Sequence, residues 1–120
     1  MGSYASLLAI QYASTMGLRV IAIDTGKEKR ELCLSLGAEV WIDFRECKDV
    51  IAEVLAATGG LGAHAAIVTG GGNEVYSAAG QYLRSAGYLM VVGLPPNGLL
   101  SLPIVLIAAR GLTIRGVFVG

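Results

Sequence analysis

Five short apolar runs, each separated from the next by a stretch of helical spacing, constrain the fold of this chain more than any other feature. The runs are residues 20–23, 40–43, 65–69, 88–92 and 112–119. The helical stretches are 6–16, 27–36, 47–58, 74–84 and 102–109. Strands that alternate with helices belong to βαβ units and a parallel sheet. The runs are almost continuously apolar, which predicts strands covered by helices on both faces. In 27–36 the spacing turns Leu32, Cys33 and Leu36 inward and Lys27, Glu28, Arg30 and Glu31 outward, and Gly37 stops the helix. In 47–58 the stripe is Val50, Ile51, Val54 and Leu55. In 74–84 it is Val75, Ala78, Ala79 and Tyr82. The order of elements therefore opens on a helix, with no strand before it.

Composition narrows the function classes. A chain of 120 residues is one domain by ordinary size, with room for a real core. Its net charge is zero, so it offers no electrostatic footprint for nucleic acid or an anionic membrane. No apolar run reaches the ~20 residues of a membrane span. The first residues lack the basic start of a signal peptide. Two cysteines, Cys33 and Cys47, make neither a disulfide framework nor a metal quartet. These readings lead to an expectation of a soluble cytoplasmic protein with reduced thiols.

Four stretches carry a resemblance: AIQYASTMGLRVIAIDTGKEKRELCLSLGAEVWIDF, ATGGLGAHAAIVTGG, AAGQYLRSAGYLMVVGLPP and RGLTIRGVFVG. Together they resemble the zinc-type alcohol dehydrogenases of the medium-chain dehydrogenase/reductase superfamily, over part of the NAD-binding domain only. The resemblance implies an α/β fold, a doubly wound parallel sheet (Rossmann-like) that lacks its first strand and the glycine turn after it. It implies that residues 1–120 form a truncated dinucleotide-binding domain without the catalytic zinc domain. In the family a turn of the form GxGGLG precedes the first helix. Here the matching residues are Gly2-Ser3-Tyr4-Ala5-Ser6, with Tyr4 and Ser6 standing where glycines let the backbone approach a pyrophosphate. A tyrosine there should obstruct the ligand.

The resemblance also assigns site residues. Asp24, at the end of the first run, matches the acid that accepts hydrogen bonds from the adenosine ribose and repels a 2′-phosphate. Lys29 matches a second ribose-contacting position, so IDTGKEK reads as NAD-type. The plainer reading of Asp24 is a strand-end carboxylate that accepts from the next amides. Thr69 and Gly93, at the ends of the third and fourth runs, complete the cofactor-binding candidates. Tyr4 and His64, the single histidine, are the candidate catalytic groups. There is no zinc ligand set, so no metal is expected, and no cofactor beyond weakly bound NAD.

Two function classes stay open at this level. One is a cofactor-domain homologue of alcohol dehydrogenase that is not competent for zinc-dependent hydride transfer by itself. The other is a non-redox cyclase or isomerase that holds an apolar small molecule in the vacated cofactor cleft. A non-catalytic binding protein is a further alternative. The family's sheet order, 3-2-1-4-5-6, makes the first strand central. Its loss leaves two sheet edges to be closed together or filled by another chain. The last run, 112–119, carries no charge but Arg115 to blunt its edge. In the family this strand pairs with its copy across a twofold axis, and a homodimer through 112–119 is expected.

Overall fold

The fold is described from a computed structural model, over residues 4–69, 73–92 and 102–116. Helices and strands alternate as the periodicity predicts. They are α1 (Tyr4–Thr15), β1 (Ile21–Asp24), α2 (Lys27–Ser35), β2 (Val40–Asp43), α3 (Val50–Ala57), β3 (Ala63–Val68), α4 (Asn73–Tyr82), β4 (Leu83–Val91), α5 (Ile104–Arg110) and β5 (Thr113–Gly116). All strand pairs are parallel. They form a two-stranded sheet, β1-β2, and a three-stranded sheet, β3-β4-β5. Each is a parallel sheet built from strands that alternate with helices, the pattern of a doubly wound α/β fold. Among the described strands β1 pairs only with β2, and β3 only with β4. The chain divides into two compact units, residues 1–50 and 51–120. Among the described residues no helix is long and apolar enough to cross a membrane.

In the first unit, Ile10 of α1, Ala22 of β1, Cys33 of α2 and Ala38 form the buried cluster, with Val20, Leu36 and Trp41 packed against it. Gly37 allows this packing. Its φ is +120°, and a Cβ there would lie 2.5 Å from the Ser14 hydroxyl of α1. Leu32, expected inward, is exposed. A two-stranded sheet is too narrow to cover the whole apolar stripe of α2, and Cys33 takes the contact.

In the second unit the core is Val54, Ala66, Val68, Tyr76, Ala79, Tyr82, Leu83, Leu89 and Leu112. Burial pushes the Tyr82 phenol up to about 12, so it stays neutral. Helices α4 and α5 lie against β3 and β4. The cover is one-sided. Ala65, Ile67 and Tyr88, in register on one face of β3 and β4, are exposed, against the expectation of strands covered on both faces. Val75, expected on the inward side of α4, is exposed as well.

The α4–β4 junction departs most from the periodicity. The helix ends at Tyr82, and β4 begins at once, with Leu83 opposite Ala63 and Tyr88 opposite Ala65. The intervening residues bulge. Arg84 locks the bulge by donating from Nε and Nη2 to the Gly62 carbonyl at 3.1 and 3.0 Å. Arg110 donates from one nitrogen to the carbonyls of Gln81 and Leu83, at 2.9 and 3.1 Å, and so satisfies the end of α4. Within the bulge Ala86 has φ +61°, a left-handed conformation that costs an L-residue ~1–2 kcal/mol. Glycine relieves that strain at an unfolded-state entropy cost of ~0.5–1 kcal/mol. Ala86→Gly is therefore expected to raise stability by a few tenths of a kcal/mol to about 1 kcal/mol. Thermal unfolding checks this, and a lowered Tm would contradict it.

Candidate functional site

Parallel strands leave their carboxyl ends together, and here β1 and β2 both end in an acid. The register sets Asp24 directly beside Asp43. The chain then turns sharply through Thr25 and Gly26 into α2. Gly26 has φ +110°, a value L side chains rarely adopt. The turn brings the first turn of α2 back over the strand end, so Lys29 reaches Asp24. Lys29 Nζ lies 3.8 Å from Asp24 Oδ1, with the two side chains 31% and 17% exposed. An acid this enclosed keeps more of its attraction to the lysine than a surface pair does. By contrast, Arg19 and Glu39, at the amino ends of the same strands, pair at 2.8 Å but with side chains 70% and 51% exposed. That pair contributes little.

Hydrogen bonds fix the two acids differently. Asp24 Oδ1 accepts the Thr25 N–H at 2.9 Å. Asp43 Oδ1 accepts the Arg45 N–H at 2.9 Å. Desolvation raises the Asp43 pKa, but hydrogen bonding, led by the Arg45 main-chain N–H, outweighs it and leaves the group below its ordinary value. A depressed carboxylate pKa adds stability in place above the ordinary carboxylate range and lost as pH falls through the lowered value. The Asp43 carbonyl accepts from the Cys47 amide at 2.9 Å and closes the turn that follows β2.

Cys33 is the buried thiol of this unit. Burial first, and Asp24 second, raise its pKa against the opposing effect of Lys29. It stays a protonated small hydrophobe, not a nucleophile.

Of the sequence candidates, the structure brings Asp24 and Lys29 together. The other candidates are placed as follows. His64 is an exposed residue of β3. Thr69 is half-buried just past the end of that strand. Tyr4 is the first residue of α1, and its side chain lies outside the described residues, as does Gly93. Among the described residues no group of three or more His, Cys, Asp or Glu is placed to hold a metal ion. The residue that sequence reasoning missed is Asp43. Its signal was present, because VIAID and VWID are the same word, an apolar strand closed by Asp.

A half-buried carboxylate with a lysine beside it, at the carboxyl end of a parallel strand, suits hydrogen-bond donors arranged like a vicinal diol. A sequence-family model described as zinc-binding dehydrogenase matches residues 6–120. Alcohol dehydrogenase 1 of Emericella nidulans is 46% identical over 114 residues, which cover 94% of this chain and 33% of that protein. Alcohol dehydrogenase 1 of Neurospora crassa is 43% identical, over 94% of this chain and 32% of its own length. The chain thus spans about a third of the length of these curated relatives. Among solved structures, an alcohol dehydrogenase zinc-binding domain protein from Burkholderia ambifaria superposes with a TM-score of 0.86 at 32% identity, over 93% of this chain and 30% of its own. The alcohol dehydrogenase of Thermus sp. ATN1 superposes with a TM-score of 0.87 at 26% identity, over 94% and 32%.

Proposed function

This chain belongs to the zinc-binding dehydrogenase family, and we propose that it recognises the adenosine ribose of NAD through Asp24 and Lys29. One observation carries the reading. The only acid of β1 stands at its carboxyl end, with the lysine of α2 at 3.8 Å. The carboxylate accepts from the two ribose hydroxyls. The ammonium offsets its charge and donates a further hydrogen bond to an oxygen of the ligand. A 2′-phosphate would meet Asp24 as a like charge, so NADP is disfavoured.

The pyrophosphate end of the site is weaker. Tyr4 and Ser6 hold positions that the family gives to glycine, and a side chain there keeps the backbone from the phosphates. NAD is therefore held mainly by its adenosine half. These 120 residues hold one histidine and two cysteines, so they do not supply a zinc-dependent hydride transfer by themselves.

Calorimetric titration tests the reading. NAD is expected to bind far above the low micromolar range, and more tightly than NADP. Asp24→Ala should weaken NAD about tenfold, the worth of hydrogen bonds to one charged acceptor. It should also narrow the gap between the two dinucleotides. Equal affinity for NAD and NADP in the unaltered chain would refute the role of Asp24. Low-micromolar NAD binding would refute the weakened pyrophosphate site. Elemental analysis is expected to find no stoichiometric zinc, and one zinc per chain would overturn that.

A further inference from the structure

We propose that Asp43 is a specificity-determining residue of the ribose site: it supplies the net negative charge that repels a 2′-phosphate. The inference rests on the reading of Asp24 given above and deepens it.

Asp24 does not act alone on a charge beyond contact distance. Lys29 Nζ stands 3.8 Å from its Oδ1. From several ångströms away, a carboxylate and an ammonium this close act as a dipole, and their fields largely cancel. A hydrogen bond from a ribose hydroxyl survives that cancellation, because it acts at contact. Repulsion of a phosphate is mostly lost to it. Discrimination against NADP therefore calls for a further anion near the strand end.

The register places one there. Asp43 is the partner of Asp24 in the parallel pairing, and neighbouring strands lie ~4.8 Å apart. The two side chains share a face. Side chains alternate along a strand, so Asp24 lies on the side of Ala22 and Asp43 on the side of Trp41. Ala22 belongs to the buried cluster with Cys33 of α2, and Trp41 packs against the same cluster. Both acids thus stand on the α2 side of the sheet, where Lys29 reaches Asp24. Among the described residues no lysine or arginine forms an ion pair with Asp43. Its Oδ1 accepts the Arg45 main-chain N–H at 2.9 Å, which favours the ionised form and adds no formal charge. Two carboxylates and one ammonium leave one negative charge at the carboxyl ends of β1 and β2, and that charge belongs to Asp43.

The test reads a gain of binding, which damage to the fold does not produce. AMP and adenosine 2′,5′-bisphosphate, which differ by one 2′-phosphate, are titrated by NMR into the full 120-residue chain and into Asp43→Asn and Asp43→Ser. Both variants remove the charge, and Asn keeps an acceptor for the Arg45 amide. The unaltered chain should prefer AMP. In Asp43→Asn, affinity for the bisphosphate should rise about fivefold, and by more than affinity for AMP. That is the effect of one charge on a phosphate dianion across one or two strand spacings in a water-like dielectric. At about 1 M salt the gain should fall below about twofold, because the Debye length drops to ~3 Å. Affinity for the bisphosphate that stays the same or falls in a folded variant overturns the role of Asp43 and leaves Asp24 standing. A gain that persists at high salt is not electrostatic and overturns it as well. Loss of folding in both variants, read by circular dichroism, makes Asp43 a structural residue and has the same consequence. An unaltered chain without preference for AMP, or one that binds neither nucleotide, overturns the reading of Asp24 and this inference with it.

Discussion

Gly62→Ala is expected to destabilise residues 51–120 by about 3 kcal/mol, the sum of a backbone term and an overlap term. Gly62 has φ +91°, and a Cβ there would lie 2.6 Å from the Tyr82 carbonyl oxygen, 3.0 Å from the Arg84 nitrogen and 3.1 Å from the Leu83 carbonyl carbon. Every one of these is a main-chain atom of the α4–β4 junction. None can yield without disturbing the Leu83–Ala63 pairing or the Arg84 guanidinium on the Gly62 carbonyl. The left-handed conformation costs ~1–2 kcal/mol and the forced overlap a similar amount. Against a total stability of ~5–15 kcal/mol this is a large fraction, read as a Tm lower by roughly 10 °C. Gly59→Ala is the control. It has φ +67° with nothing within 4 Å of its Cβ position, so it loses the backbone term alone. Equal losses at the two glycines would show that close approach at Gly62 contributes nothing.

Ile114→Pro is expected to yield insoluble or unfolded protein, not a folded monomer, because the strand it interrupts is proposed to join two copies of the chain. Strand β5 uses one edge to pair with β4. All four of its residues are exposed, Ile114 at 37%. On α5, Ile104 is 83% exposed and Val105 76%. The remainder of the run 112–119, with Phe118, lies outside the described residues. An obligate interface of roughly 2,000 Å² would contribute about 50 kcal/mol gross at ~25 cal/mol per Å². That exceeds the ~4–15 kcal/mol cost of association. Proline at position 114 removes an amide and obstructs strand pairing, at ~3 kcal/mol or more. Light scattering of the unaltered chain should give a dimer at micromolar concentration. A monomer, or a folded Ile114→Pro protein of unchanged mass, would refute the proposed assembly.

Much of the molecule follows from local pattern. A run such as VWID is too short and too apolar for anything but a buried strand, and KEKRELCLS repeats its polar residues at helical spacing, so β2 and α2 need no tertiary information. The pairing of Asp24 with Lys29 is local in the same sense. A strand, a two-residue turn and a helix leave the two side chains little choice once Gly26 reverses the chain. Asp43 is different. Its place comes from the register of β1 against β2, which sets it beside Asp24. Register is a relation between segments about twenty residues apart and is not written in either of them. The same holds for the bulge of β4, where Arg84 turns back to the Gly62 carbonyl. It holds too for Leu32 and Val75, whose helical spacing marks them as inward. Both are exposed in the folded chain. The sequence by itself determined which segments are helices and strands, the start of β4 apart, and that an acid ends β1 and β2, because backbone preference and hydrophobic period act over a few residues. Only the tertiary structure decided which strands pair, which faces stay open and which acids stand side by side, because those depend on contacts between segments that local preference does not select.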